Sequence, residues 1–153
     1  MHNFRKLKVY TLAKDLVKNV YLMIDTLPSK ENYALCDQLR RAVISVPSNI
    51  AEGLGRSTSK DKGHFMQIAY GSLMEVLAQV DIACDLGYIS QEQFQKLEEL
   101  IVEESKLLHG MINNFKEKIK PLNNYSEHSE RSTAKRSIAK RIYETNNSNH
   151  SGR

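Results

Sequence analysis

The chain has little of what most functional signatures require. Only two of its 153 residues are cysteine, Cys36 and Cys84, both in apolar helical contexts and with no CxxC pairing. A disulfide framework and structural zinc are thereby disfavoured, and a reducing compartment fits. Prolines number three (Pro28, Pro47, Pro121), and no stretch alternates apolar and polar residues with the two-residue period of a strand. Long apolar runs are also missing. The longest uncharged run of the body, Gly63 to Met74, has 12 residues and includes His, Gln and Ser. A membrane span needs roughly 20 apolar residues. Near the start, Arg5, Lys6 and Lys8 are followed by only five uncharged residues before Lys14, too few for a secretory signal. The expectation is a soluble, cytoplasmic protein without a transmembrane segment.

Catalytic signatures are equally scarce. Inward-facing Glu-x-x-His pairs, which di-iron bundles require, do not occur: Lys106 stands three residues before His109, and Asp61 with His64 gives the spacing once, near a helix start. Gly53-Leu54-Gly55-Arg56-Ser57-Thr58 begins like a dinucleotide fingerprint, but Thr58 replaces the third glycine and a helix precedes it where a strand should. It reads as a helix stop and loop, whose Arg56 and amides remain available to a phosphate. Cys36 has no suitably placed histidine, and no serine lies in a G-x-S-x-G context. The sequence therefore predicts no enzyme, no cofactor, no metal site and no small-molecule substrate.

Four segments carry apolar residues at helical spacing. The first runs over about 4–26, with Val9, Ala13, Leu16, Val17, Val20 and Ile24 on one face. Leu27-Pro28-Ser29 ends it, and Ser29 is the expected N-cap of a second helix over about 30–52, striped by Leu35, Leu39, Ala42, Val46 and Ile50. Gly53-Leu54-Gly55 is expected to stop it in left-handed conformation, and Pro47 to kink it. Ser59 or a neighbour caps the third helix, about 60–86, striped by Phe65, Ile68, Ala69, Ser72, Val76, Val80 and Ala83 and closed by Gly87. Ser90 with Gln93 forms a capping box for the fourth. That helix carries Phe94, Leu97, Ile101, Leu108, Ile112, Phe115 and Ile119, and Pro121 marks its end. Short connections between long helices force antiparallel neighbours. The expected fold is all-α, an antiparallel up-down-up-down four-helix bundle over residues 1–120.

Residues 121–153 differ. They hold six Ser, five Asn and seven apolar residues, too few to offset ordering entropy, so a disordered basic tail is expected. Charge divides the same way. The net charge is +4, with 16 Lys+Arg against 15 Asp+Glu in residues 1–120 and 6 against 3 beyond. Arg131, Lys135, Arg136, Lys140 and Arg141 lie together without an acid, around Ala134, Ile138 and Ile142 at four-residue spacing. This stretch can form a basic amphipathic helix on a partner. With Arg5, Lys6, Lys8 and Arg40, these five are the candidate nucleic-acid contacts.

The second helix also carries a polar stripe: Gln38, Arg41, Ser45, Asn49 and Glu52 lie beside its apolar face. On the third helix, Glu75 and Gln79 flank the Ser72/Val76 face. Together these residues form either a polar seam, with Arg41 facing Glu75, that fixes helix register or a subunit interface, or an ordinary solvated rim.

The run Gln38-Leu39-Arg40-Arg41-Ala42, then Ser45-Val46-Pro47-Ser48-Asn49-Ile50-Ala51-Glu52-Gly53, continues at Phe65, Ala69-Tyr70-Gly71-Ser72, Glu75 and Leu86-Gly87-Tyr88-Ile89. With Phe4-Arg5-Lys6-Leu7 and Ala13, it resembles the four-helix-bundle family named for reading frames within intervening sequences of bacterial 23S ribosomal RNA, the S23-like proteins. The resemblance spans about residues 3–119. It implies a bundle that forms homopentamers, in a family not known for enzymes. Its relatives include accessory proteins of diversity-generating retroelements, which bind a reverse transcriptase and nucleic acid through basic surfaces. The matched positions include Gln38, Arg41, Ser45, Asn49, Glu52, Ser72 and Glu75.

Two functional expectations follow. One is a non-enzymatic homo-oligomeric scaffold that contacts RNA or a ribonucleoprotein. The other is a protein–protein interaction module whose tail folds on a protein or membrane partner, without nucleic acid.

Overall fold

A computed structural model describes residues 4–119. Among them, four α-helices follow one another: α1 (Lys8–Ile24), α2 (Leu35–Gly55), α3 (Ser59–Asp85) and α4 (Gln91–Glu117). Each packs on its neighbours in sequence, and α4 closes back on α1. Cross-helix pairs fix the antiparallel sense. Gly53 near the end of α2 approaches Phe65 and Met66 near the start of α3 while Ser45 meets Ser72 further along, and Gly63 faces Phe115 near the end of α4 while Tyr70 meets His109. The expected up-down-up-down bundle is the observed fold. No helix among the described residues is long and apolar enough to cross a membrane.

The core is aliphatic. Leu16 and Val20 of α1, Leu39, Val43, Val46 and Ile50 of α2, Met66, Leu73, Val76 and Val80 of α3, and Ile101 and Leu108 of α4 are all sealed from solvent. Each such side chain contributes about 1.5–3 kcal/mol of burial.

Helix boundaries follow local chemistry. Phe4–Lys6 forms a 3-10 turn, set off from α1 at Leu7, with the Phe4 ring edge-on to Tyr10 at 4.8 Å. Ser29 does not cap α2. It opens a second 3-10 turn, Ser29–Glu31, and α2 begins only at Leu35, after an Ala34 cap that offers no side-chain bond. No residue from 28 to 35 is buried, so packing does not extend the helix toward Pro28. Its other end also departs from expectation. Gly53 is helical and buried, and a Cβ there would lie 2.7 Å from Met66 Cε and 2.8 Å from Phe65 Cβ. Glycine at 53 serves close approach of α3, and α2 continues to Gly55. Pro47 lies within an unbroken α2 whose buried residues keep one face on either side of it.

Thr58 caps α3, accepting from the Asp61 amide at 3.0 Å while its hydroxyl donates to Asp61 Oδ2 at 2.7 Å. Gly87, at φ 71°, ends α3 in the left-handed conformation open to glycine. The Ser90–Gln93 capping box forms in both directions.

Candidate functional site

The polar stripe divides into a closed centre and open ends. Asn49 Nδ2 donates to the Ser45 carbonyl at 2.8 Å and to Ser45 Oγ at 2.9 Å. Ser72 Oγ lies 2.8 Å from Ser45 Oγ and 3.1 Å from the Ile68 carbonyl. Three small polar side chains thus satisfy one another between α2 and α3. Ser72 is buried, and Ser45 and Asn49 are half-buried. The outer members do not join them. Gln38, Arg41, Glu52 and Glu75 are exposed. Arg41 and Glu75 form no ion pair, and Glu52 instead pairs with Arg56 one turn on. Gln79 Oε1 is buried without a partner.

Of the basic candidates, Arg5 and Lys6 are exposed, and Arg40 is half-buried. Lys8 Nζ is held by Glu103 at 2.6 Å. Arg56 is also engaged, since besides Glu52 it lies over the Phe65 ring at 4.7 Å. Arg131, Lys135, Arg136, Lys140 and Arg141 lie outside the described residues. No cluster of three or more His, Cys, Asp or Glu suited to a metal occurs among the described residues. Cys36 is buried, which pushes its thiol pKa up and disfavours the reactive thiolate.

Two features escape the sequence reading. The first is Glu104. It occupies the core position of α4 between Ile101 and Leu108, wholly buried, with neither carboxylate oxygen finding a partner among the described residues. Burial, and secondarily the adjacent Glu103 charge, pushes its pKa up to about 8. The seven-residue gap between Ile101 and Leu108 in an otherwise regular seam was its signal.

The second is the outer face of α3. Ile68 does not belong to the core stripe, as Met66 and Leu73 take the buried positions. Ile68 is 38 % exposed, Ile82 48 % and Leu86 54 %, and Gly71, Glu75 and Ala78 between them are exposed too. Spacings of three and four residues place these six on one side of the helix. Helix α3 therefore carries apolar side chains on two faces, and the other described residues cover only one of them.

The family model described as 23S rRNA-intervening sequence protein matches residues 5–110. A solved structure of a protein of unknown function from the S23 ribosomal protein family of Bacteroides thetaiotaomicron VPI-5482 is similar in fold. Its TM-score is 0.64 at 20% sequence identity, over 68% of this chain and 97% of that one. No curated protein matches.

Proposed function

Since the chain belongs to the 23S rRNA-intervening sequence protein family, we propose that it is a non-enzymatic scaffold that assembles with copies of itself and contacts RNA through basic residues. The observation that carries this reading is the second seam of α3. Ile68, Gly71, Glu75, Ala78, Ile82 and Leu86 recur at the three-four spacing by which helices interlock. A helix apolar on two faces is one that a larger assembly buries. Gly71 and Ala78 leave room for a partner backbone, and Glu75 in the middle sets register by the cation it demands. The partner is another copy of this chain, in a ring such as the pentamer the resemblance implies.

A ring repeats each weak contact, so modest phosphate attraction gains avidity. The exposed Arg5 and Lys6 supply such contacts, with Arg131, Lys135, Arg136, Lys140 and Arg141 of the chain's basic end. The rRNA association of the family name favours RNA over other polyanions.

Light scattering across a size-exclusion peak, with ultraviolet absorbance read in parallel, tests both halves. The chain has no tryptophan, so bound RNA dominates the absorbance. A mass several times 17.5 kDa with an RNA spectrum is expected; a single-chain mass free of RNA contradicts the proposal.

A further inference from the structure

Where α3 begins and α4 ends, the two helices part around a groove of about 420 Å³. Lys60, Asp61, Gly63, His64 and Gln67 line it from α3, and Ile112, Lys116 and Ile119 from α4 and the residues after it. The groove follows from the local sequence. Gly63 contributes no side chain, and a Cβ at that position would already touch Phe115 Cβ at 3.5 Å. Ile112, only 6 % exposed, closes the apolar side, and Ile119 stands half-exposed at the edge.

The polar lining is cationic. Of the four ion pairs among the described residues, none uses Lys60 or Lys116. The single acid, Asp61, turns its carboxylate to the Thr58 hydroxyl. Gln67 and His64 add further hydrogen-bonding groups to the same lining. The first turn of the 27-residue α3 also places its positive dipole end at the groove.

Resting on the RNA-contact reading above, we infer that this groove seats a phosphodiester of RNA. Lys60 and Lys116 hold the phosphate, Gln67 and His64 reach the adjoining sugar hydroxyl or base edge, and Ile112 and Ile119 pack against the face of the base. Two ammonium groups without an ion-pair partner among the described residues, beside an apolar wall, match a nucleotide unit, which is charged on one side and apolar on the other. An acidic peptide would present carboxylates without a flat apolar neighbour.

The test is a salt titration of full-length protein binding to a fluorescein-labelled single-stranded RNA. The Lys60→Gln/Lys116→Gln variant should lower the slope of log affinity against log salt by about 0.7, the value for one single-strand phosphate no longer neutralised. A Lys18→Gln/Lys96→Gln variant removes the same charge from lysines that pair within their own helices, and its slope should not change. Gln67→Glu, at an exposed position, places a carboxylate in the groove and should weaken binding at least tenfold at low salt. Melting curves of all variants should superimpose on wild type. If wild type binds RNA and neither groove variant alters the affinity or slope, the groove assignment falls and the scaffold reading stands. If wild type binds no RNA at any salt concentration, both fall.

Discussion

Glu104 occupies a position on α4 that leucine or isoleucine fills one turn to either side. No cation from α1, α2 or α3 acts on it: Lys8, which reaches across from α1, is taken by Glu103, and Glu103 itself opposes ionisation. The carboxyl is therefore folded in its neutral form. Its folded pKa of about 8 exceeds that of the unfolded chain, so the folded state holds this proton more tightly. The stabilising contribution is complete below the ordinary glutamate range and is lost as pH rises toward about 8, by at most about 1.4 kcal/mol per pH unit. Urea midpoints should fall across that window and level off above it. Glu104→Leu should flatten this dependence and raise stability by about 1–3 kcal/mol, since it removes an unpartnered buried acid. A wild-type midpoint independent of pH from 5 to 8 would contradict the buried neutral acid. Nothing but a missing beat in the seam announced Glu104 in the sequence, because composition and periodicity treat one glutamate on a long helix as surface.

At the scale of elements, the pairing of α2 with α3 is set by small side chains. The Ser45–Ser72 hydrogen bond and the approach of Gly53 to Met66 and Phe65 fix one relative height of the two helices. A double-mutant cycle of Ser45→Ala and Ser72→Ala should show a coupling of about 1 kcal/mol. Additive losses would mean that the pair does not act as a unit. Elements were legible in the sequence where one local signal decides them: the Ser90–Gln93 box, the Gly87 stop, and the periodic faces of α1 and α4. They were not legible where a tertiary contact decides. The start of α2 depends on which residues find a core, not on Ser29, and Gly53 was misread as a stop because only α3 reveals the approach it permits. The polar stripe was visible as a pattern. Its division into a satisfied Ser45–Asn49–Ser72 centre and exposed Gln38, Arg41, Glu52 and Glu75 is set by where α3 packs on α2, which spacing within one helix does not encode. Ile68 was misplaced because a helix with two apolar faces gives no unique phase to its pattern.

For the whole molecule, each helix leaves some apolar surface exposed, and on α3 Ile68, Ile82 and the capping Leu86 fall in one row along the helix. The proposed assembly through that face would account for the isoleucines that a helix of 27 residues turns toward solvent at positions 68 and 82, and for the glycine and alanine between them. In the proposed ring, basic residues would act collectively, since repetition multiplies contacts that are weak singly. The central claim is thus self-assembly through the outer seam of α3. Sedimentation equilibrium on wild type and on an Ile68→Glu/Ile82→Glu variant tests it most directly. The substituted side chains are already partly in water, so the fold should persist, as circular dichroism will verify. Wild type should sediment at several times the 17.5 kDa chain mass and the folded variant at the mass of one chain. A wild type that sediments as a single chain, or a folded variant that keeps the wild-type mass, would contradict the account.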